Sequence, residues 1–134
     1  MVGIVKVDTL QNNAGTSSVD MGYVVNGTAK AWVNFNGTGT IATRDSLNVA
    51  SLTDEGTGAY QTNLTTSLDN ANYAVVGSAG GGGGPSGCWH TTGFNVNSYN
   101  TDNQTGSFHT QLYYTTSNVA DVEFVYSALL GDLA

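Results

Sequence analysis

The chain has 134 residues and a formal net charge of -7, with three basic residues against ten acidic ones. Because this charge repels polyanions and the basic residues form no cluster, nucleic acid and anionic membrane surfaces are excluded as expected partners. Only 10% of the residues are charged, whereas Gly, Thr, Asn and Ser are abundant. Neutral hydrogen-bonding groups must therefore cover most of the surface, and the length fits a single domain.

The cysteine content and the apolar segments restrict the chemistry further. The only cysteine, Cys88, has no partner for an internal disulfide or a zinc site, and we interpret it as a small buried residue. No apolar run approaches the ~20 residues of a membrane-spanning helix, and the N-terminus lacks the pattern of a signal peptide. We therefore expect synthesis in the cytoplasm, no membrane insertion and no cofactor.

Residues 1–27 differ in composition from the rest of the chain. The run IVKVDTL has the apolar character of a strand, but QNNAGTSSVD after it is polar and lacks large apolar residues. Exposed connectors commonly have this composition. We interpret residues 1–27 as an extended arm or stem, although an ordinary first strand followed by a long loop fits the pattern equally well.

From residue 28 onward the sequence has the two-residue period of β-strands. In KAWVNFNG, Ala31, Val33 and Phe35 share one face of a strand, and Trp32 and Asn34 share the other. Turn-forming residues separate further segments of this kind: TIATRDSLNVASL, GAYQTNLTTSL, NYAVVGSA, GCWHTTGFNVNSY, GSFHTQLYYTT and VADVEFVYSALL. We predict an all-β fold over residues 28–134, an antiparallel, jelly-roll-like β-sandwich, with helix confined to a turn at residues 127–133.

One long stretch resembles a known family. Residues 30–79 read KAWVNFNGTGTIATRDSLNVASLTDEGTGAYQTNLTTSLDNANYAVVGSA, and VKVDTLQNNAGT stands before them. This composite motif resembles a module, with its preceding segment, that recurs in bacteriophage tail-fibre and related virion proteins, particularly of marine and cyanobacterial phages. The resemblance covers roughly the first 79 residues. It implies a structural virion protein of fibre type, a homotrimer whose C-terminal part faces outward.

A run of glycines follows the family-like part, in the sequence GSAGGGGGPSGCW. The run lacks a GxxxxGK[ST] pattern, a nearby lysine and a following helix, so it does not fit a phosphate-binding loop. We interpret it as a flexible loop between two strands, the kind of position at which binding residues are presented. The glycines of this loop are Gly80, Gly81, Gly82, Gly83 and Gly84.

The residues after this loop are the predicted receptor-binding site. They are Trp89, His90, Tyr99, Asp102 and Asn103. Aromatic faces pack on sugar rings while Asn and Asp pair with hydroxyl groups, so this composition suits a glycan. A place in the core or at a subunit interface is also common for a tryptophan in a strand, and it stays open for Trp89.

No motif predicts catalysis or metal binding. His90 and His109 lie in neither an HxH nor an HExxH spacing, and we interpret both as ordinary hydrogen-bonded histidines. Asp54 and Glu55 lie in a predicted glycine-flanked turn, and nothing in their spacing indicates the paired carboxylates of a glycosidase. We predict no enzyme activity; a hydrolase acting on host polysaccharide would depend on an acid such as Asp102 or Glu55.

These observations combine into a prediction of function. We expect a tail-fibre subunit, a homotrimer attached to other phage tail or virion proteins by residues 1–27. Its loops around residues 79–106 would attach the particle to a host cell-surface glycan or protein, and three copies would bind with avidity. The protein would reside in the virion tail after synthesis in the host cytoplasm. The alternative is a capsid decoration, or cement, protein that stabilises the head.

Overall fold

A computed structural model describes residues 3–81, 93–96, 103–113 and 118–133, with the backbone alone for residues 93–96. Antiparallel β-strands dominate these residues, which confirms the all-β prediction. The strands are β1 (Thr9–Gln11), β2 (Ser18–Asp20), β3 (Ala31–Asn36), β4 (Ala42–Leu47), β5 (Val49–Gly56), β6 (Ala59–Leu64), β7 (Ala74–Gly80), β8 (Gly93–Val96), β9 (Ser107–Tyr113) and β10 (Phe124–Leu130). One helix, α1, spans Met21–Gly27 in the described residues.

Strands β3 to β10 form two four-stranded sheets. The first sheet has the order β4-β3-β10-β7 and the second has the order β5-β6-β9-β8. Hairpins join β3 to β4, β5 to β6 and β8 to β9 within a sheet, whereas the other connections pass from one sheet to the other. Antiparallel neighbours and hairpins are what short strands separated by turn residues predict.

The corner between β4 and β5 is a single residue, Asn48. Its φ of 56° lies in the left-handed region, which asparagine tolerates better than most residues. Its side-chain amide donates to the carbonyl oxygens of Lys30 and Thr66 and accepts from the Thr66 amide. The segment TIATRDSLNVASL is therefore two strands in different sheets, not one.

Side chains from both sheets meet in a common core. The predicted inward face of β3 is confirmed, because Ala31, Val33 and Phe35 are all buried. One apolar cluster joins β3 to Tyr60 and Leu112 of the second sheet, with the Phe35 and Tyr60 rings edge to face at 5.1 Å. A second cluster consists of Ala31, Leu68, Phe108 and Leu129. Burial of these apolar faces is the main force that holds the two sheets together.

Three hydroxyl groups are also buried in the strands. The side-chain oxygens of Thr62, Thr110 and Ser127 have no hydrogen-bond partner among the described residues. Thr62 and Thr110 are 0% and 2% exposed. A buried hydroxyl without a partner destabilises the native state by roughly 1–3 kcal/mol.

We expect Thr110→Val to raise the free energy of unfolding by about 1 kcal/mol, because a methyl group of similar shape replaces an unpaired hydroxyl. Urea denaturation followed by circular dichroism measures the change. Thr40→Val, at an exposed position, is the control and should change the stability by less than about 0.5 kcal/mol. A destabilised Thr110→Val protein would mean that this hydroxyl has a hydrogen-bond partner in solution.

The N-terminal segment, residues 3–27, contributes nothing to this core. Residues 3–20 are all exposed, and β1 and β2 form a separate two-stranded sheet. Helix α1 has no buried residue; the Asp20 carboxylate caps it by accepting from the Gly22 amide at 2.6 Å. The Lys30 ammonium donates to the carbonyl oxygens of Val25 and Thr28 and links the end of the helix to β3.

Three sequence-based expectations of local structure are wrong. Helix was expected nowhere before residue 127, but α1 spans Met21–Gly27. Helix was expected at residues 127–133, but residues 127–130 belong to β10, where pairing with β3 and β7 outweighs the helical propensity of the ALL run. Asp54 and Glu55 were expected in a turn, but they are the last residues of β5 before Gly56, and the turn follows at residues 57–58. No helix in the described part of the chain has the length and apolar character needed to cross a membrane.

Candidate functional site

A groove of about 430 Å³ lies on the outer face of the first sheet, the face opposite the core. Because side chains alternate along a strand, burial of Val33 and Val125 turns their neighbours on β3 and β10 toward solvent. Strand β7 contributes the third side of the groove. The outward side chains that line it are Trp32, Asn34, Val76, Ser78, Tyr126 and Ala128.

Cross-strand pairing arranges these side chains in two rows across the sheet. Strand β4 adds one further side chain to each row. The first row is apolar and consists of Leu47, Trp32, Ala128 and Val76. The second row is largely polar and consists of Asp45, Asn34, Tyr126 and Ser78. Directly opposed side chains in antiparallel strands lie about 5 Å apart, so each row is continuous.

The depth of the groove results from the size of the side chain in its middle. Ala128 presents only a methyl group between Trp32 and Val76, so it forms a low floor between two larger walls. Val76 is 51% exposed and Tyr126 is 42% exposed, although both are large and apolar in most of their surface. Contiguous exposed apolar surface of this kind, with polar groups beside it, commonly marks a binding site.

The Tyr126 ring is held in place from one side. The Phe124 ring stacks on it with a centroid distance of 6.4 Å and an angle of 5° between the planes. The Arg44 guanidinium lies 4.4 Å from the Phe124 centroid, and its Nη1 donates to the Glu123 carbonyl at 2.8 Å. This stack limits the side-chain entropy that Tyr126 would lose on binding a ligand.

Asn34 places an unpaired acceptor in the wall of the groove. Its Oδ1 is buried and has no hydrogen-bond partner in the described part of the chain. Most buried side-chain oxygens accept at least one hydrogen bond, and an unpaired one costs roughly 1–3 kcal/mol. Because this oxygen is closed to solvent, a ligand hydroxyl in the groove can donate to it only after the Asn34 side chain turns outward, and that turn would satisfy the unpaired acceptor.

The outer face of the second sheet is polar and differs from the groove. Asn63 donates to the hydroxyls of Ser51 and Thr53 and accepts from Gln61, so its side-chain groups are already paired within the sheet. His109 Nδ1 lies 2.7 Å from Glu55 Oε2, which confirms the prediction of a hydrogen-bonded histidine. The described residues contain no group of three or more His, Cys, Asp or Glu side chains that could hold a metal ion.

The predicted receptor-binding residues lie mostly outside the described residues. This applies to Trp89, His90, Tyr99 and Asp102. The predicted loop glycines Gly82, Gly83 and Gly84, and Cys88, which was interpreted as a small buried residue, also lie outside them. Asn103 is described, and its Nδ2 donates to the Ala71 carbonyl at 3.3 Å. Gly80 ends β7, and Gly81 has a φ of 128°, a conformation that favours glycine. The loop site therefore stays a prediction.

Sequence reasoning missed the groove but contained one signal for it. The alternation in KAWVNFNG places Trp32 and Asn34 together on the face away from the core. A large aromatic residue on an outward face is uncommon, so Trp32 indicates a candidate binding surface. Comparison of the chain with protein-family models, with curated proteins and with solved structures finds no match. The resemblance of residues 30–79 to tail-fibre proteins stays a prediction.

Proposed function

We propose that the chain is a non-catalytic tail-fibre subunit of a phage virion whose groove binds a neutral saccharide on the host surface. The observation that carries this proposal is the combination of the Trp32 and Tyr126 rings with the unpaired Asn34 Oδ1 around the Ala128 floor. The proposal moves the binding surface from the predicted loops at residues 79–106 to the outer face of the first sheet.

The proposed architecture is an antiparallel, jelly-roll-like β-sandwich with residues 1–27 as an N-terminal arm, which is folded into the β1–β2 hairpin and helix α1 rather than extended. The core that both sheets share supports the sandwich. The exposure of every residue from 3 to 20 supports the arm, because a segment that packs on its own domain would bury part of its surface. The sandwich provides a rigid sheet on which the groove side chains are held in fixed register.

The chemistry of the groove favours a saccharide over other small ligands. The C–H faces of a sugar ring pack on aromatic rings, and its hydroxyls supply a donor for Asn34 Oδ1 once that side chain turns outward, and partners for the Ser78 hydroxyl. The groove lining contains no charged side chain, and the net charge of -7 disfavours an anionic ligand. Its volume of about 430 Å³ lies within the usual range for small-ligand sites.

A homotrimer would make this shallow groove effective on a cell surface. An open groove that contacts one or two sugar rings binds weakly, because little of the ligand is buried. Three linked copies turn later binding events into intramolecular ones and raise the overall avidity by roughly 10²–10⁴. The arm would hold the trimer to other virion proteins.

The exposed arm also favours a second candidate function, decoration of the capsid. Apolar side chains such as Ile4, Val5 and Tyr23 are 78%, 85% and 78% exposed, and clamping neighbouring shell subunits would cover them. Immunogold labelling of intact particles separates the two functions. Labelling of tails supports the fibre subunit, and labelling of heads supports the decoration protein.

We expect Trp32→Ala to weaken saccharide binding at least ten-fold, since truncation of a central aromatic residue commonly costs more than about 1.4 kcal/mol. A glycan array screened with the wild-type chain identifies the saccharide, and titration calorimetry measures the change in dissociation constant. Tyr126→Ala should have a similar effect. Both side chains are on the outer face, so the unfolding midpoint should stay close to that of the wild type.

Trp89→Ala is the matched control for the loop site. The proposal requires that this variant binds the saccharide as the wild type does. If Trp89→Ala abolishes binding while Trp32→Ala does not, the receptor site lies in the loop. If the wild-type chain binds no saccharide on the array, the groove does not have the proposed function.

A further inference from the structure

We infer that residues 3–8 of a second copy of this chain add as a β-strand to the edge of β7 along residues 74–78. The inference deepens the proposed assembly through the N-terminal arm and rests on it. The partner of the arm would be a second copy of the chain, and its docking surface would be the edge of β7. Two observations support it: one sheet edge has no protection, and one apolar segment is uncovered.

The edges of the two sheets differ in their protection against strand addition. Native edge strands are usually blunted by charges, bulges, proline or short length. Strand β4 carries Arg44 and Asp45 and pairs through a register shift, and β5 carries Asp54 and Glu55 and has two register shifts. Strand β8 is only four residues long. Each of these three edges therefore has at least one protective feature.

Strand β7 has none of these features. It is seven residues long, reads AVVGSAG, and pairs with β10 without a register shift. It contains no charged residue and no proline, and it is an edge strand among the described strands of the first sheet. Along residues 74–78 this unprotected edge is a template for another strand, and proteins with such an edge commonly cover it in their assembly.

Residues 3–8 have the properties of a strand that could add to the edge of β7. They read GIVKVD, with β-branched residues at three positions, and they lie outside the described strands; the Asp8 carbonyl at the end of the segment accepts from the Met21 amide. Ile4 is 78% exposed, Val5 is 85% exposed and Val7 is 42% exposed. Each of these side chains would stabilise an interface by leaving water, and the backbone groups of the segment would gain partners along β7.

A second copy is a better donor of this strand than the same copy. The arm joins its own domain near the opposite edge of the first sheet, because Val25, Leu47 and Asn48 line one depression there. Strand β7 lies three strands from β4, about 14 Å across the sheet at the usual strand spacing, and within one copy the Asp8 carbonyl accepts from the Met21 amide, which keeps the end of the segment beside helix α1. The added strand would extend the outer face beside Val76 and Ser78, next to the groove.

A photo-crosslinking experiment tests this docking mode directly. A benzophenone amino acid replaces Val5 in the full chain, and an isotope-labelled copy without the photo-reactive residue is mixed with it before irradiation. We expect crosslinks between the two kinds of copy that map to residues 74–78. A benzophenone at Asn13, in the loop of the β1–β2 hairpin, should not crosslink to β7. Crosslinks within one copy only, or crosslinks to another surface, would overturn the inference.

Light scattering of an arm variant provides the second test. Val5→Asp/Val7→Asp replaces two apolar side chains by charges, so we expect a dissociation constant of the oligomer at least 100-fold higher than that of the wild type. Saccharide binding to each groove should persist in this variant, which separates failure of the docking mode from failure of the proposed function. A wild-type chain that is monomeric, or a variant that still forms the oligomer, would contradict the inference.

Discussion

Gly58→Ala is expected to lower the free energy of unfolding by about 3 kcal/mol. Gly58 has a φ of 65°, which costs an alanine roughly 1–2 kcal/mol. A Cβ at this position would also lie 2.9 Å from the Ala120 carbonyl oxygen and 3.0 Å from the Leu112 carbonyl oxygen. Because both contacts are with backbone, the clash adds a further 1–3 kcal/mol. Urea denaturation measures the sum.

Gly39→Ala is the matched control for the backbone conformation. Gly39 has a φ of 62°, close to that of Gly58, but no atom lies within 4 Å of its added Cβ. We expect this variant to lose only about 1–2 kcal/mol, the cost of the left-handed conformation alone. Equal losses in the two variants would show that Gly58 is not in close contact with residues 112 and 120.

Stability is expected to fall steeply above pH 10 because of Tyr60. This side chain is 1% exposed, and its hydroxyl, which has one proton to donate, lies 2.7 Å from the Gly37 carbonyl oxygen and 3.0 Å from Asp121 Oδ1. Burial, and then the charge of Asp121, raise the pKa of Tyr60 well above the usual value of 10.0. The folded state therefore keeps the phenol protonated at a pH where the unfolded chain releases the proton.

The sign of the effect follows from this difference in proton binding. Below pH 10 both states hold the proton, so the contribution of Tyr60 to stability is fully present. Above pH 10 the unfolded state is favoured by about 1.4 kcal/mol for each pH unit. Burial also raises the pKa of Tyr73, which adds to the slope in the same direction.

Denaturation curves of the wild type and of Tyr60→Phe between pH 8 and pH 11 measure this contribution. Tyr60→Phe should remove the part of the slope that belongs to Tyr60. It should also lower the stability at neutral pH by about 1–2 kcal/mol, because the Gly37 carbonyl loses its donor. Tyr23→Phe, at a position that is 78% exposed, is the control for loss of a hydroxyl and should change the stability at neutral pH by less than about 0.5 kcal/mol. Identical slopes in the wild type and Tyr60→Phe would contradict a buried, protonated Tyr60.

Strands were predictable from sequence where buried and exposed side chains alternate along the chain. The inward positions of β3 alternate with polar ones, so the two-residue period identifies the core face without knowledge of any partner. The corner at Asn48 was not predictable in the same way. Its left-handed backbone is stabilised by hydrogen bonds to Lys30 and Thr66, which are distant in sequence.

Helix α1 and the groove were also not predictable, because both depend on contacts that the local sequence does not specify. MGYVVNG contains two glycines and two valines, a poor helical composition, and it is helical because Asp20 and Lys30 provide hydrogen bonds at its two ends. Trp32 was assigned to the correct face, but Tyr126 and Val76 reach it only through the strand order of the first sheet. A site formed by side chains from three strands depends on pairing that local sequence does not specify.

An NMR titration with the saccharide identified on the array tests the central claim most directly. Backbone and side-chain amide shifts of the isotope-labelled chain are followed as the saccharide is added. The groove predicts the largest shifts at the Trp32 indole N–H and the Asn34 side-chain amide, with smaller shifts along residues 76–78 and 126–128. Shifts confined to residues 86–104, with Trp32 and Asn34 unchanged, would contradict a saccharide site on the outer face of the first sheet.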